Sequence, residues 1–138
     1  MGEPLFVADN PCPTCPYRKD TPPGVWHESE YKKLPAYDTN ETFETFLCHY
    51  SPTIDRNTVC RGWLSVHRES VAARLACMNG SITPDQLYAE VSAELYPDGA
   101  TACAAGMKGV KKPGRAARRK IESINKQLRA ARRKRGER

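Results

Sequence analysis

The sequence predicts a small α-rich fold of the α+β class, and three observations predict it. Cysteines are grouped at Cys12, Cys15, Cys48 and Cys60, in the first half of the chain. After Cys60, apolar residues recur at intervals of three and four, the period of helices that face a core. The 138 residues include 11 prolines and 9 glycines, so one modest domain with irregular segments is expected rather than a large buried core. The expected organisation is a cysteine domain over residues 1–98, a flexible Gly/Ala/Lys linker over 99–114 and a basic helix or tail over 115–138.

The elements follow in chain order. Pro11, Pro13, Pro16, Pro22, Pro23 and Gly24 leave residues 9–25 no room for a helix, so this stretch is a loop, or knuckle, with Cys12 and Cys15 held in a tight turn. Residues 27–34 make two helical turns with acids first and lysines last, ended by Pro35. Thr42 to Tyr50, with Phe43, Thr45, Phe46 and Leu47, is read as a short extended segment leading into Cys48. Leu64, His67, Val71, Leu75 and Met78 then mark one face of a helix that stops at Gly80. A second helix opens at Thr83-Pro84-Asp85-Gln86, a capping box with proline at its first position, and carries the row Leu87, Val91, Leu95 up to Pro97. Gly106, Gly109, Pro113 and Gly114 read as a connector. In the tail, Ala117, Ile121, Ile124, Leu128 and Ala131 form a narrow apolar seam on a basic helix.

The cysteine spacing carries the chemistry. Cys12, Cys15, Cys48 and Cys60 supply four thiolates, the donor set of a closed tetrahedral zinc site, and such a site stabilises a short loop-rich chain directly. The ligands after the Cys-x2-Cys pair come 33 and 12 residues further on, unlike the paired spacing of a zinc ribbon. His49 either replaces a neighbouring thiolate or donates a hydrogen bond to sulfur. Zinc is ranked first, with a 4Fe-4S cluster as the alternative, since four thiolates also hold iron and sulfide. Unligated buried thiols are the plainer reading of the same residues. A thiol oxidoreductase, with Cys12 attacking and Cys15 resolving, is the rival enzyme reading; no apolar strand leads into the motif and no helix begins there to lower a thiol pKa. His27, Glu28 and Glu30 beside Trp26 read as a solvated helix start, and His67 as a packed core histidine.

Charge divides along the chain. Residues 1–107 hold eight Lys and Arg against fourteen Asp and Glu, a net of −6. Residues 108–138 hold fourteen against two, a net of +12, and the two add to the whole-chain +6. The tail cations Lys111, Lys112, Arg115, Arg118, Arg119, Lys120, Lys126, Arg129, Arg132, Arg133, Lys134 and Arg135 are the candidate polyanion-binding residues, and nucleic acid is the commonest such partner. A solvated, frayed extension is the plainer alternative. The seam lacks Trp and Phe, so no membrane anchor is expected. Leu5-Phe6-Val7-Ala8 is too short for a span or a signal peptide, and a reducing cytoplasm is the expected compartment. Of the aromatic residues, most are expected to pack about the cysteines, with Tyr17 beside Arg18 and Lys19 the most exposed piece.

Pro11-Cys12-Pro13-Thr14-Cys15-Pro16-Tyr17-Arg18, then Phe46-Leu47-Cys48-His49, then Cys60-Arg61-Gly62-Trp63-Leu64 resemble, in this order, a small domain family of unknown function from actinobacteria and their phages. The resemblance spans roughly residues 10 to 80. It implies that Cys12, Cys15, Cys48 and Cys60 act together, in an actinobacterial or phage setting, host cytoplasm included. It leaves Cys77 and Cys103 outside the motifs and the basic tail as an addition. The expected function is a non-catalytic four-cysteine metal-binding module, regulatory or accessory, whose tail binds nucleic acid or a ribonucleoprotein. The acidic body is then free for a protein partner. The alternatives are a phage or host protein-interaction factor without nucleic-acid binding, an iron-sulfur redox-sensitive regulator and, third, the oxidoreductase.

Overall fold

A computed structural model describes residues 4–39, 43–48 and 58–136. The fold is a small α+β arrangement: strand β1 (Phe6–Val7), helix α1 (Glu28–Lys32), a 3-10 turn (Leu34–Asp38), strand β2 (Thr58–Val59), and helices α2 (Arg61–Val66), α3 (Val71–Met78), α4 (Pro84–Tyr88), α5 (Gly99–Met107) and α6 (Arg115–Lys134). β1 and β2 pair in parallel, Phe6 opposite Thr58 and Val7 opposite Val59, and Val59 also bridges Leu47 antiparallel. Trp63, Tyr17, Tyr31, Phe46, Leu34, Leu64 and Ile82 are the largest fully buried side chains. Their edge-to-face packing, Tyr17 on Phe46 at 6.0 Å and Tyr37 on Phe46 at 4.9 Å between ring centroids, places the aromatic residues around the cysteines.

Helix α1 forms as its charges predict. His27 caps it by accepting from the Ser29 N–H at 3.1 Å, and Glu28–Lys32 and Glu30–Lys33 pair along its surface at 3.3 and 2.6 Å. Pro35 does not end the helical stretch; it sits in the first turn of the 3-10 segment, where a missing N–H leaves nothing unpaired.

The single helix expected from Cys60 to Gly80 is two. His67 leaves the helical region at φ −127°, and Ser70 starts α3 by accepting from the Ala73 N–H at 3.1 Å. The buried face of α3 is therefore Ala72, Ala73 and Ala76, while Met78, read as a core residue, is 81 % exposed. Beyond it, Gly80 takes φ +84°, the left-handed value that stops a helix.

The capping box of α4 is present, Gln86 N–H to Thr83 Oγ1 at 3.1 Å and Thr83 N–H to Gln86 Oε1 at 2.8 Å. The helix nevertheless ends at Tyr88, so Val91 and Leu95 do not extend the row begun by Leu87. Two guanidinium groups explain the stop. Arg61 donates to Gln86 O at 2.6 Å, and Arg68 donates to Leu87 O at 2.9 Å and Ala89 O at 2.6 Å, satisfying carbonyls that a longer helix would have used. The chain then runs extended against the knuckle, with Lys19 N–H donating to Glu94 O at 3.0 Å and Tyr96 N–H to Tyr17 O at 2.8 Å.

Residues 99–107, read from composition as part of a connector, are helix α5 and belong to the core. Asp98 caps it by accepting from Thr101 N–H at 2.7 Å, and Asp38 accepts from the N–H groups of Gly99 and Ala100 at 2.6 and 2.8 Å. Ala102 is fully buried, and Gly106 lies flat against the Tyr31 ring. Small side chains here permit close approach rather than motion. Helix α6 carries the expected seam: Ala117, Ile124 and Ala131 are buried, and Val25 and Trp26 of the knuckle loop pack on Ala117, Ile124 and Leu128.

Candidate metal centre

The knuckle is a pair of overlapping turns. Cys15 N–H donates to Cys12 O at 3.0 Å, Arg18 N–H to Cys15 O at 3.0 Å, and the Thr21 hydroxyl to Cys15 O at 2.7 Å. Arg18 locks the loop from outside, bidentate on Asp20 at 2.8 and 2.9 Å and reaching Pro11 O at 3.0 Å. Cys60 meets this loop from the start of α2. Its Sγ lies 3.6 Å from Cys15 Sγ and accepts from the Trp63 N–H at 3.4 Å, so the sulfur also caps the helix. Hydrogen bonds to Cys12 and to Cys60, with burial added, push the Cys15 thiol well above its ordinary range.

Gly62 makes the approach of the two segments possible. A side-chain carbon at this position would lie 2.7 Å from Cys15 Sγ and 2.9 Å from Tyr17 Cβ. The glycine of the Cys-x-Gly-Trp segment thus faces the Cys-x2-Cys turn, and Trp63 beyond it stacks on His67 at 5.9 Å. Arg61, between Cys60 and Gly62, is buried and holds Ala8 O at 2.8 Å besides Gln86 O.

Cys12, Cys15 and Cys60 are therefore gathered, linked through Cys15. Cys48 is buried on the adjoining ladder: Cys60 N–H donates to Phe46 O at 2.8 Å and Cys48 N–H to Thr58 O at 2.6 Å. Because strand side chains alternate, this register puts Phe46, Cys48, Thr58 and Cys60 on one face, with Cys48 diagonal to Cys60. Among the described residues no group of three or more His, Cys, Asp or Glu takes up metal-ligand geometry as it stands. His49 lies outside the described residues. Cys77 and Cys103 stand apart at the edge of the core.

The donor set suits a thiophilic ion on two structural grounds. Thr14 Oγ1 inside the knuckle is buried without a hydrogen-bond partner. Thiolates about 2.3 Å from one tetrahedral ion lie roughly 3.8 Å from one another, close to the Cys15–Cys60 separation. A thiol buried and pushed up in pKa is, by contrast, a poor nucleophile. Tyr17, expected to be exposed beside Arg18, is fully buried under this site.

The tail cations lie elsewhere. Lys111, Lys112, Arg115, Arg118, Arg119, Lys126, Arg129, Arg132, Arg133, Lys134 and Arg135 are exposed and Lys120 is half-buried. Among the described residues, no Lys or Arg of α6 forms an ion pair.

Compared with known families, residues 7–129 match a family of unknown function, DUF6283. The chain belongs to DUF6283. The match runs well past residue 80, through α5 and most of α6, so most of the basic helix lies within the matched region and is not an addition to a shorter domain. No curated protein and no solved structure matches the DUF6283 chain.

Proposed function

We propose that this DUF6283 protein is a non-catalytic module in which Cys12, Cys15, Cys48 and Cys60 hold one zinc ion and α6 binds nucleic acid or a ribonucleoprotein. The observation that carries the metal half is the contact of Cys15 with Cys60 at 3.6 Å, made across Gly62 with Cys12 hydrogen-bonded alongside. It favours a single ion over a 4Fe-4S cluster, because a cluster spreads its thiolates over different irons and holds them farther apart. Zinc would supply fixed positive charge beside the Cys15 thiol, which its hydrogen bonds and burial keep protonated, and would bind the cysteines as thiolates with release of protons. The ion's task is structural, joining the knuckle to the start of α2.

The nucleic-acid half rests on α6. Its nine Lys and Arg against Glu122 alone extend over 20 residues, about 30 Å, without internal ion pairs to neutralise them. Phosphate contacts by such a helix release condensed counterions. Six cysteines at uneven spacing fit a reducing cytoplasm, and the setting in an actinobacterium or its phage rests on the motif resemblance.

Native mass spectrometry of the purified chain tests the metal: a mass excess of one zinc, lost with chelator, is expected. A brown protein with a broad violet absorption band would replace zinc by a cluster. For α6, log affinity for a duplex should fall against log salt with a slope of roughly −5 to −9, for about six to ten phosphates. Changing Arg119, Lys126 and Arg133 to Gln should flatten that slope by about three.

A further inference from the structure

Between the knuckle and the basic helix lies a groove of about 790 Å³, bounded by Trp26 and His27 on one side and by Ile121, Asn125 and Leu128 of α6 on the other, with Lys111 at its edge. Trp26 is pinned at two points: its indole N–H donates to Thr14 O at 2.7 Å, and its backbone N–H to the Tyr31 hydroxyl at 3.2 Å. The groove thus presents a half-buried aromatic ring of fixed position next to a helix of unpaired cations. Its one acid, Glu28, is already paired with Lys32. The other large groove, about 830 Å³ beside Phe43, Leu75 and Met78, has no Lys or Arg in its lining.

We propose that the Trp26 groove takes an unpaired base of single-stranded nucleic acid, stacked on the indole, while the flanking phosphates lie on the cations of α6. The proposal rests on the nucleic-acid reading of α6 and narrows it. A long basic helix by itself binds any polyanion and does not distinguish strand states. A positioned aromatic ring adjoining a cationic track does, because base stacking requires a base free of its partner. An apolar floor of Ile121 and Leu128 suits the ring face of a base, and Asn125 and Lys111 offer polar groups to its edge. The Thr14 carbonyl that holds the indole belongs to the Cys-x2-Cys turn, so the groove is tied to the cysteine site through one hydrogen bond.

The test uses the full chain with an oligo(dT) probe, a duplex of the same length and inorganic polyphosphate as a polyanion without bases. Trp63 is 1 % exposed, so Trp26 dominates the fluorescence that a ligand can quench. The single strand should quench it; duplex and polyphosphate should bind without quenching. Trp26→Ala should weaken the single strand roughly 5- to 150-fold relative to the duplex, and Trp26→Phe should restore part of that loss. Since Trp26 also packs on the core, Asn125→Trp, which fills the groove from an exposed position on α6, provides the second variant. It should lower the single-strand-to-duplex affinity ratio without touching the core. Equal binding of both probes with no quenching would overturn the base site while leaving α6 as a nucleic-acid helix. Failure of every probe to bind would overturn both readings.

Discussion

At the scale of single residues, the positions that decide this molecule are those that let segments touch. Gly62 is the sharpest case. Ala at this position would place a carbon 2.7 Å from Cys15 Sγ, so Gly62→Ala should lower stability by about 1–3 kcal/mol in a denaturant melt, by overpacking rather than loss of contacts. Cys15 predicts a pH dependence. Its thiol keeps its proton in the folded metal-free chain to a pH at which the unfolded chain has lost it. The unfolded state then binds fewer protons, and metal-free stability should fall as pH rises above the unfolded cysteine value of about 8.5. On the proposed reading zinc reverses the sign, because thiolate is the bound form and zinc affinity should rise with pH. Melting curves from pH 7 to 9.5, with and without zinc, check both slopes.

At the scale of elements, the structure turns on interactions made far along the chain. His67 bonds Trp63 O at 3.0 Å through Nδ1 and Asp38 at 2.8 Å through Nε2. His67 thus ties the end of α2 to the 3-10 turn that carries Asp38. Asp38 in turn receives the first N–H groups of α5. Asp38→Ala should therefore cost ~2–3 kcal/mol, measured by urea midpoint, since it leaves a buried donor and a helix start unpaired together. Helix α5 offers a test of sign. As a flexible connector, Gly106→Ala would stabilise the chain by up to about 1 kcal/mol. Packed as it is, the added carbon overlaps the buried Tyr31 ring, and overpacking of ~1–3 kcal/mol outweighs the helix propensity, so the variant should melt lower.

At the scale of the whole molecule, two basins share the knuckle loop. Its cysteine turn faces α2, and its Val25 and Trp26 face α6. Loss of the proposed zinc should therefore be felt at α6. Cys60→Ser should abolish zinc retention and raise hydrogen exchange in both α2 and α6, whereas Cys77→Ser and Cys103→Ser, at the rim of the core, should change stability by less than about 1 kcal/mol. Described helices include none long and apolar enough to cross a membrane.

Local chemistry was legible without coordinates. Prolines around Cys12 and Cys15 preclude a helix, Thr83 and Gln86 can only reward one another at a helix start, and the Ala117 to Ala131 seam has helical period whatever it packs on. What the tertiary structure decided is where periodic rows stop and what small residues are for. Leu75, Met78 and Leu95 fit a row but left it, because Ser70, Arg61 and Arg68 satisfied backbone groups that would otherwise have extended α3 backward and α4 forward. Gly99, Ala102 and Gly106 read as slack because composition records absent side chains, whereas only the fold shows that Leu34 and Tyr31 fill the space those side chains leave.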